Sequence, residues 1–356
     1  IMQTKELNFR FHKYFIDIKD FKVINQIGKG SYGLVYLVEN TKTKERLAAK
    51  IININGQKEI NKQLINREIG IMVRCQHPTI IKCLGFSIKD VHNENNITIF
   101  TELASKGSLS DFLMKIREMK SLEIESPEID YNNTKRQILL IGIARGMMYL
   151  HQRHIIHRDL KPANILLDDR LRPLITDLGF AKIIDSSIAA CQSQQCGTPI
   201  YMAPEIFKGL NYSGKADVYS FGILMYEVVT DLFPYPELLN GKMAPLKFVH
   251  DVVNENIRPK FTTPVKKSIR ELMEKCWSKD PEKRPTFEEI FNMLAYNIER
   301  PFGNIYEYID NKSASEPNKS YLDGVDEEEI MLYTSEIDLP SEASDQEFSF
   351  KMNQMI

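Results

Sequence analysis

No apolar run in these 356 residues reaches the ~20 needed to cross a bilayer. The longest, around Ile138–Leu150 and Val218–Val229, carry Arg145 and Glu227 and read as buried helices. No apolar leader opens the chain, since Lys5, Glu6 and Arg10 interrupt it, so a secretory signal is not expected. Cysteine is sparse: Cys75, Cys83, Cys191, Cys196 and Cys276 are odd in number, with no CxxC pair and no His-rich metal spacing. That argues for a reducing compartment, and the expected location is cytoplasmic. A redox pair of Cys191 and Cys196 is the alternative. An excess of either charge is also lacking, with 46 basic residues against 48 acidic ones. A chain built to coat nucleic acid or an anionic membrane is thereby excluded, and neither partner is expected. What is present, 43% apolar and 26% charged residues, suits a soluble globular enzyme with one large domain or two ordinary ones.

The balanced total hides a segregation. From Pro301 onward there are 13 acidic and 3 basic residues, leaving 43 basic and 35 acidic in the first 300. The run Asp326–Glu329 and the Ser- and Asn-rich composition predict a solvated, disordered tail or linker. Tyr306, Tyr308, Tyr321 and Tyr333 leave open a tail that docks on the basic domain or on a partner.

The first chemical signal is Ile27-Gly28-Lys29-Gly30-Ser31-Tyr32-Gly33-Leu34-Val35. Glycines at this spacing let backbone N–H groups approach phosphate oxygens. A dinucleotide-binding turn would need a helix next. Instead Val35–Val38, the polar Asn40–Lys44 and Leu47–Ile52 read as strand, turn, strand, so the glycines cap a hairpin. Lys50 lies within the second strand. In the helical pattern of Glu59–Arg74, Glu68 interrupts a stripe of Ile60, Leu64 and Met72. A carboxylate facing a core needs a cation, and Lys50 is the expected partner.

The second signal is His157-Arg158-Asp159-Leu160-Lys161-Pro162-Ala163-Asn164, followed by Ile165–Leu167, a turn through Asp168–Arg170, and Leu174-Ile175-Thr176-Asp177. A hairpin centred near Arg170 is expected to set Asn164 opposite Asp177, a hard-oxygen site suited to Mg²⁺ shared with phosphates. Asp159 is then placed to orient a hydroxyl and accept its proton, and Lys161 to reach the same phosphate.

With these motifs in this order, the chain from about Phe21 to Asn297 resembles eukaryotic protein kinases. Further matches are Asp177-Leu178-Gly179, with Leu178 where the family usually has Phe, and Gly197–Glu205, which resembles the end of the activation segment. Asp217–Gly222 resembles the start of a central buried helix, and Arg284 resembles the arginine that pairs with Glu205. The resemblance implies an α+β, bilobal fold: a small β-rich lobe with one regulatory helix and a larger helical lobe. The implied organisation is an N-terminal extension over 1–20, a catalytic domain over 21–297 and an acidic tail over 298–356.

Site roles follow from the resemblance. Ile27, Gly28, Lys29, Gly30, Ser31, Tyr32, Gly33, Leu34 and Val35 cover ATP. Lys50, held by Glu68, contacts its phosphates, and Thr101, Glu102 and Ala104 mark the strand end and hinge at the adenine. Asn164 and Asp177 carry Mg²⁺, Asp159 is the catalytic carboxylate, and Lys161 neutralises the γ-phosphoryl group. Lys161-Pro162-Ala163-Asn164 and Ile200-Tyr201-Met202 resemble Ser/Thr kinases, and Asp217–Leu224 and Pro281–Phe287 resemble the tyrosine-kinase-like group, which is largely Ser/Thr-specific. The implied partners are protein substrates with Ser/Thr acceptors and an upstream activating kinase, with Ser186, Ser187 or Ser193 as the activating site beside Arg158. The competing readings are a pseudokinase, which would need the loss of Lys50, Asp159, Asn164 or Asp177, and a scaffold whose working part is the acidic tail.

Overall fold

The first lobe is built on five strands. They form an antiparallel sheet in the order β1 (Phe21–Gly30), β2 (Gly33–Asn40), β3 (Arg46–Ile52), β5 (Ile97–Thr101) and β4 (Cys83–Ser87). The computed structural model describes residues 12–30, 33–52, 69–92, 94, 96–124, 129–178, 199–209, 213–296 and 321–338. The β2–β3 turn is set by Asn40, whose Oδ1 accepts from the backbone N–H groups of Lys42 (2.9 Å) and Thr43 (3.0 Å). Alternation along β3 buries Leu47, Ala49 and Ile51 and turns Ala48 and Lys50 to the other face. Val38, Leu47, Ala49 and Phe100 pack with Ile18, which precedes β1. The residues before β1 are thus part of the sheet's packing, and Phe15 bridges to Phe86 of β4.

The second lobe is helical: α1 (Leu109–Ser121), α2 (Asn133–Gln152), α3 (Gly214–Thr230), α4 (Pro245–Val253), α5 (Lys267–Cys276) and α6 (Phe287–Tyr296). Ser108 and Ser213 cap α1 and α3 by accepting from Asp111 and Lys215 backbone N–H groups. Both apolar runs singled out in the sequence are buried helices. α3 is buried from Ala216 to Val228, as expected of a helix apolar nearly all round. The charges it carries inward are partnered. Glu227 accepts from Arg117 (2.6 Å) and from the Tyr201 hydroxyl; burial pushes its carboxyl up, and those two donors pull the other way. Glu205 and Arg284 form the expected pair, in bidentate geometry at 2.6 and 2.8 Å, with the Arg284 side chain wholly buried.

Between the lobes lies a two-stranded hairpin of β6 (Ile165–Leu167) and β7 (Pro173–Ile175). The His77–Ile81 segment pairs with β7 through Ile175 N–H to Thr79 O (2.8 Å) and Ile81 N–H to Ile175 O (2.9 Å).

One expectation is corrected. The acidic region was expected to be disordered, but Tyr321–Asp338 is folded against the helical lobe, with α7 (Glu327–Ile337) lying on α2 and α6. Composition averaged over the region conceals a local stripe: Tyr321, Leu322, Ile330, Tyr333 and Ile337 are all buried. The carboxylates between them meet basic residues of the domain, as the tyrosines left open.

Candidate active site

The site is assembled from the cleft face of the sheet, the segment after β5 and the β6–β7 hairpin. In the β1–β2 register Gly28 faces Val35, Lys29 faces Leu34 and Gly30 faces Gly33, so the glycines do cap a hairpin. Its tip, Ser31 and Tyr32, lies outside the described residues. Gly33 is the position where packing demands glycine: φ is +148°, and a Cβ would stand 1.8 Å from the Ile51 carbonyl oxygen. At Gly28 a Cβ would meet only Val35, at 3.6 Å, so packing does not demand glycine there. An open backbone at that point is what a phosphate cradle requires. Ile27 is exposed and Val35 half-buried.

Lys50 sits on β3 between Val35 of β2 and Ile99 of β5, and its ammonium pairs with the Asp177 carboxylate. The expected Lys50–Glu68 pair falls on Glu68, which lies outside the described residues. Thr101 ends β5 opposite Ala48 and Cys83, and its hydroxyl donates to the Glu102 carbonyl (3.1 Å). The Glu102 carboxylate accepts from Lys82 N–H at 2.8 Å, which fixes the chain as it leaves the sheet. Ala104 follows, and then Lys106 and Gly107 pair with Leu167 of β6 (3.1 and 2.9 Å). The strap from sheet to hairpin is therefore four residues long, a short hinge that holds both walls of the cleft.

The catalytic segment hangs from one buried carboxylate. Asp217, in the first turn of α3, accepts from the backbone N–H groups of His157 (2.9 Å) and Arg158 (2.8 Å) and contacts His151 Nε2 (2.9 Å). Arg158 takes a left-handed conformation (φ +70°) to present its amide this way. His157 is fully buried; its Nδ1 accepts from the Asp159 N–H (3.3 Å), so the proton is on Nε2, which donates to the Thr176 carbonyl (2.9 Å). One neutral imidazole thus ties the loop carrying Asp159 to the strand end carrying Asp177. Sequence reasoning assigned no role to Asp217 or His151. The signal was available, since a carboxylate in a helix this apolar needs partners, the same argument applied to Glu68.

Asp159 Oδ2 receives both the Lys161 ammonium (2.8 Å) and the Asn164 amide (2.9 Å), and the same amide donates to the Asp159 carbonyl (2.7 Å). Asp159 and Lys161 are each about a quarter exposed, open to a substrate from solvent. The hairpin register is one residue from the expected one: Ile165 faces Ile175, and the Thr176 N–H donates to the Asn164 carbonyl (3.0 Å), so Asn164 lies opposite Thr176 and Asp177 comes one position later. Asp177 reaches the site by leaving the strand in the left-handed region (φ +62°). Leu178 behind it is buried, keeping the apolar role of the usual Phe.

Residues 21–294 match the family model for the protein kinase domain. The chain belongs to the protein kinase family. Among similar proteins, serine/threonine-protein kinase STY17 of Arabidopsis thaliana is 32% identical over 285 residues, covering 78% of this chain and 45% of STY17. Serine/threonine-protein kinase STY46 of the same plant is 31% identical over 279 residues, 78% of this chain and 44% of that protein. The seven transmembrane domain-containing tyrosine-protein kinase 1 of Dictyostelium discoideum is 34% identical over 307 residues, 82% of this chain and 40% of that protein. The chain thus spans less than half the length of these curated relatives.

Kinases of this family use ATP with Mg²⁺, and the donors in this kinase suit both. The Asn164 amide nitrogen is committed to Asp159, which leaves its carbonyl oxygen as an acceptor; with the Asp177 carboxylate this makes a hard-oxygen pair. Lys50 provides the cation for phosphate oxygens at the same place. Described residues include neither Glu68 nor the 179–198 stretch with Cys191, Cys196, Thr198 and the three serines proposed as activating sites.

Proposed function

We propose that this kinase transfers the γ-phosphoryl group of ATP to Ser and Thr hydroxyls of protein substrates. The observation that carries the reading is the Asp159 cluster: Lys161 and Asn164 both donate to Oδ2, orienting the carboxylate and leaving Oδ1 to accept a hydroxyl. The substrate oxygen bonds to the γ-phosphorus as the bond to the β–γ bridging oxygen breaks. The hydroxyl proton passes to Asp159, and ADP leaves with the bridging oxygen. Lys161 compensates charge on the transferring group, and Lys50 aligns the phosphates already in the cleft. Asn164 and Asp177 would hold Mg²⁺, which would neutralise phosphate charge when bound. The protein contributes position and electrostatics rather than a covalent intermediate.

Ser/Thr preference is supported by Lys161 two residues after Asp159 and by two of the relatives named above; the third is named a tyrosine kinase. Cytoplasmic residence and activation by an upstream kinase belong to the same reading. An odd cysteine count without a CxxC pair supports a reducing compartment. The test is transfer of radiolabelled phosphate from MgATP to a generic basic protein, followed by phosphoamino-acid analysis. Label on phosphoserine and phosphothreonine is expected. Label confined to phosphotyrosine would overturn the specificity, and no transfer would return the chain to the pseudokinase or scaffold reading.

A further inference from the structure

The folded acidic segment lies beyond residues 21–294, so it is not part of what the family shares. Its contacts run along α2 from Asn133 to Arg145. At one end Asn133 donates to the Asp323 carbonyl (2.9 Å), Asp326 N–H donates to Thr134 Oγ1 (2.8 Å), Lys266 pairs with Asp323 (2.9 Å) and Lys135 pairs with Glu329. In the middle, Tyr333 is 2% exposed and fills a notch over Gly142. A Cβ at Gly142 would stand 2.2 Å from the Tyr333 hydroxyl and 2.5 Å from Pro173. Arg172 lies over the Tyr333 ring (5.1 Å) and pairs with Glu336 at 2.6 Å. At the far end Asp338 takes Arg145 (3.0 Å) and the Tyr296 hydroxyl (2.9 Å), and the backbone of Ile337 faces His77.

Two of these contacts reach toward the chemistry. Pro173 is the first residue of β7, four positions before Asp177. His77 opens the segment whose Thr79 and Ile81 pair with Ile175, the last residue of the same strand. The segment therefore pairs with Arg172, the residue that precedes β7, through Glu336, and ends near His77, which opens the segment lying along the outer edge of β7.

We infer that α7 is a strap, supplied in cis, which seats β7 against the His77–Ile81 segment and thereby positions Asp177. This rests on the kinase reading above. The segment is a positioning element: it acts through the residues that flank β7. Its hold combines a short stripe of buried side chains centred on Tyr333 with four ion pairs, an arrangement that can be released without dismantling the α3 core. The segment's acidic excess and the domain's basic excess supply the complementarity that brings them together.

The test uses the full chain carrying Tyr333→Asp, which sets a charge in the Gly142 notch, and separately Glu336→Arg with Asp338→Lys, which leaves every buried apolar side chain in place. Hydrogen exchange of α2 and β7 reports release. The rate constant kcat and the Mg²⁺ concentration for half-maximal rate report the position of Asp177, and a merely structural role would leave the second unchanged. Release should lower kcat on the order of tenfold and raise the half-saturating Mg²⁺, with a cooperative melt retained. Reversing the pair with Arg172→Glu in a Glu336→Arg background should restore both. Released helix with wild-type kcat and Mg²⁺ dependence would overturn this inference alone. So would wild-type exchange protection in both variants, since the named contacts would then not be what holds the helix. If Tyr333→Asp does not fold, the charge variant decides. An inactive wild-type chain would instead sink the kinase reading, and the inference with it.

Discussion

At the scale of single residues, the site separates groups that do chemistry from groups that hold shape. Lys50 and Asp159 anchor no core: one faces the cleft from β3 and the other is about a quarter exposed. Lys50→Met and Asp159→Asn should each cut turnover by ~10²–10⁴-fold with circular dichroism and melting unchanged. Near-normal turnover of purified Asp159→Asn would refute the assignment. Thr101, at the end of β5, is smaller than the Met, Leu or Phe often found there in kinases. Inhibitors that extend behind the adenine should lose affinity in Thr101→Met far more than ATP does, and equal losses would count against this placement. His77 behaves oppositely to an active-site base. Burial, with the Arg145 and Arg153 guanidiniums, pushes its pKa down to about 3, while Thr79 N–H donates to Nδ1 at 3.2 Å. Folded His77 stays neutral where the unfolded chain takes up a proton, so stability falls as pH drops below about 6.5 and continues to fall toward 3. Between pH 7 and 5 the loss from this residue is about 2 kcal/mol. Denaturant unfolding of wild type and His77→Gln at both pH values should show the variant losing less; equal slopes would exclude His77 as the source.

Elements explain why part of the site could be read from the sequence and part could not. Asp159, Lys161, Asn164 and Asp177 sit in short contiguous stretches, where spacing alone places polar groups between apolar strands. The β6–β7 hairpin was therefore foreseen, but its register was missed by one residue, because Asp177 departs from the strand through a left-handed backbone that no side-chain pattern announces. Asp217 was invisible for a different reason. Its three partners, His151, His157 and Arg158, come from the end of α2 and the loop beyond it, some 60 residues away. The connection between α3 and the catalytic loop is thus a tertiary fact. It is also testable. Asp217→Asn keeps the shape but gives up one acceptor oxygen, leaving a buried donor unpaired at a cost of about 1–3 kcal/mol. The expected result is a lower melting temperature together with a lower kcat, since the loop that carries Asp159 loses an amide anchor. A fall in stability with kcat intact would show that the loop is held elsewhere.

For the whole molecule, the decisive property is how charge is distributed rather than its sum. A net charge of −2 argued only against a chain built to coat nucleic acid or membrane, yet the first 300 residues are basic and the rest acidic. The disorder expected of the acidic region came from treating it as an isolated chain, for which self-repulsion and low hydrophobicity do predict disorder. Beside a basic domain the same carboxylates become partners. Lys266, Lys135, Arg172 and Arg145 each receive one, and Ile330, Tyr333 and Ile337 bury the apolar face between them. This attachment is part electrostatic and part hydrophobic, and ionic strength separates the two. Raising sodium chloride from about 0.01 to 1 M shortens the screening length from about 30 to 3 Å. The Glu329, Glu336, Asp323 and Asp338 side chains are all substantially exposed, so each pair is worth only the low end of ~0.2–1 kcal/mol. Four of them lost together amount to about 1 kcal/mol, or roughly fivefold in the opening equilibrium of α7. Amides of α7 should therefore exchange about fivefold faster at high salt, while those of α3, held by an apolar core, should not. Equal acceleration in both helices would mean that salt acts on global stability. No acceleration in either would mean that Tyr333 and its apolar neighbours hold α7 unaided.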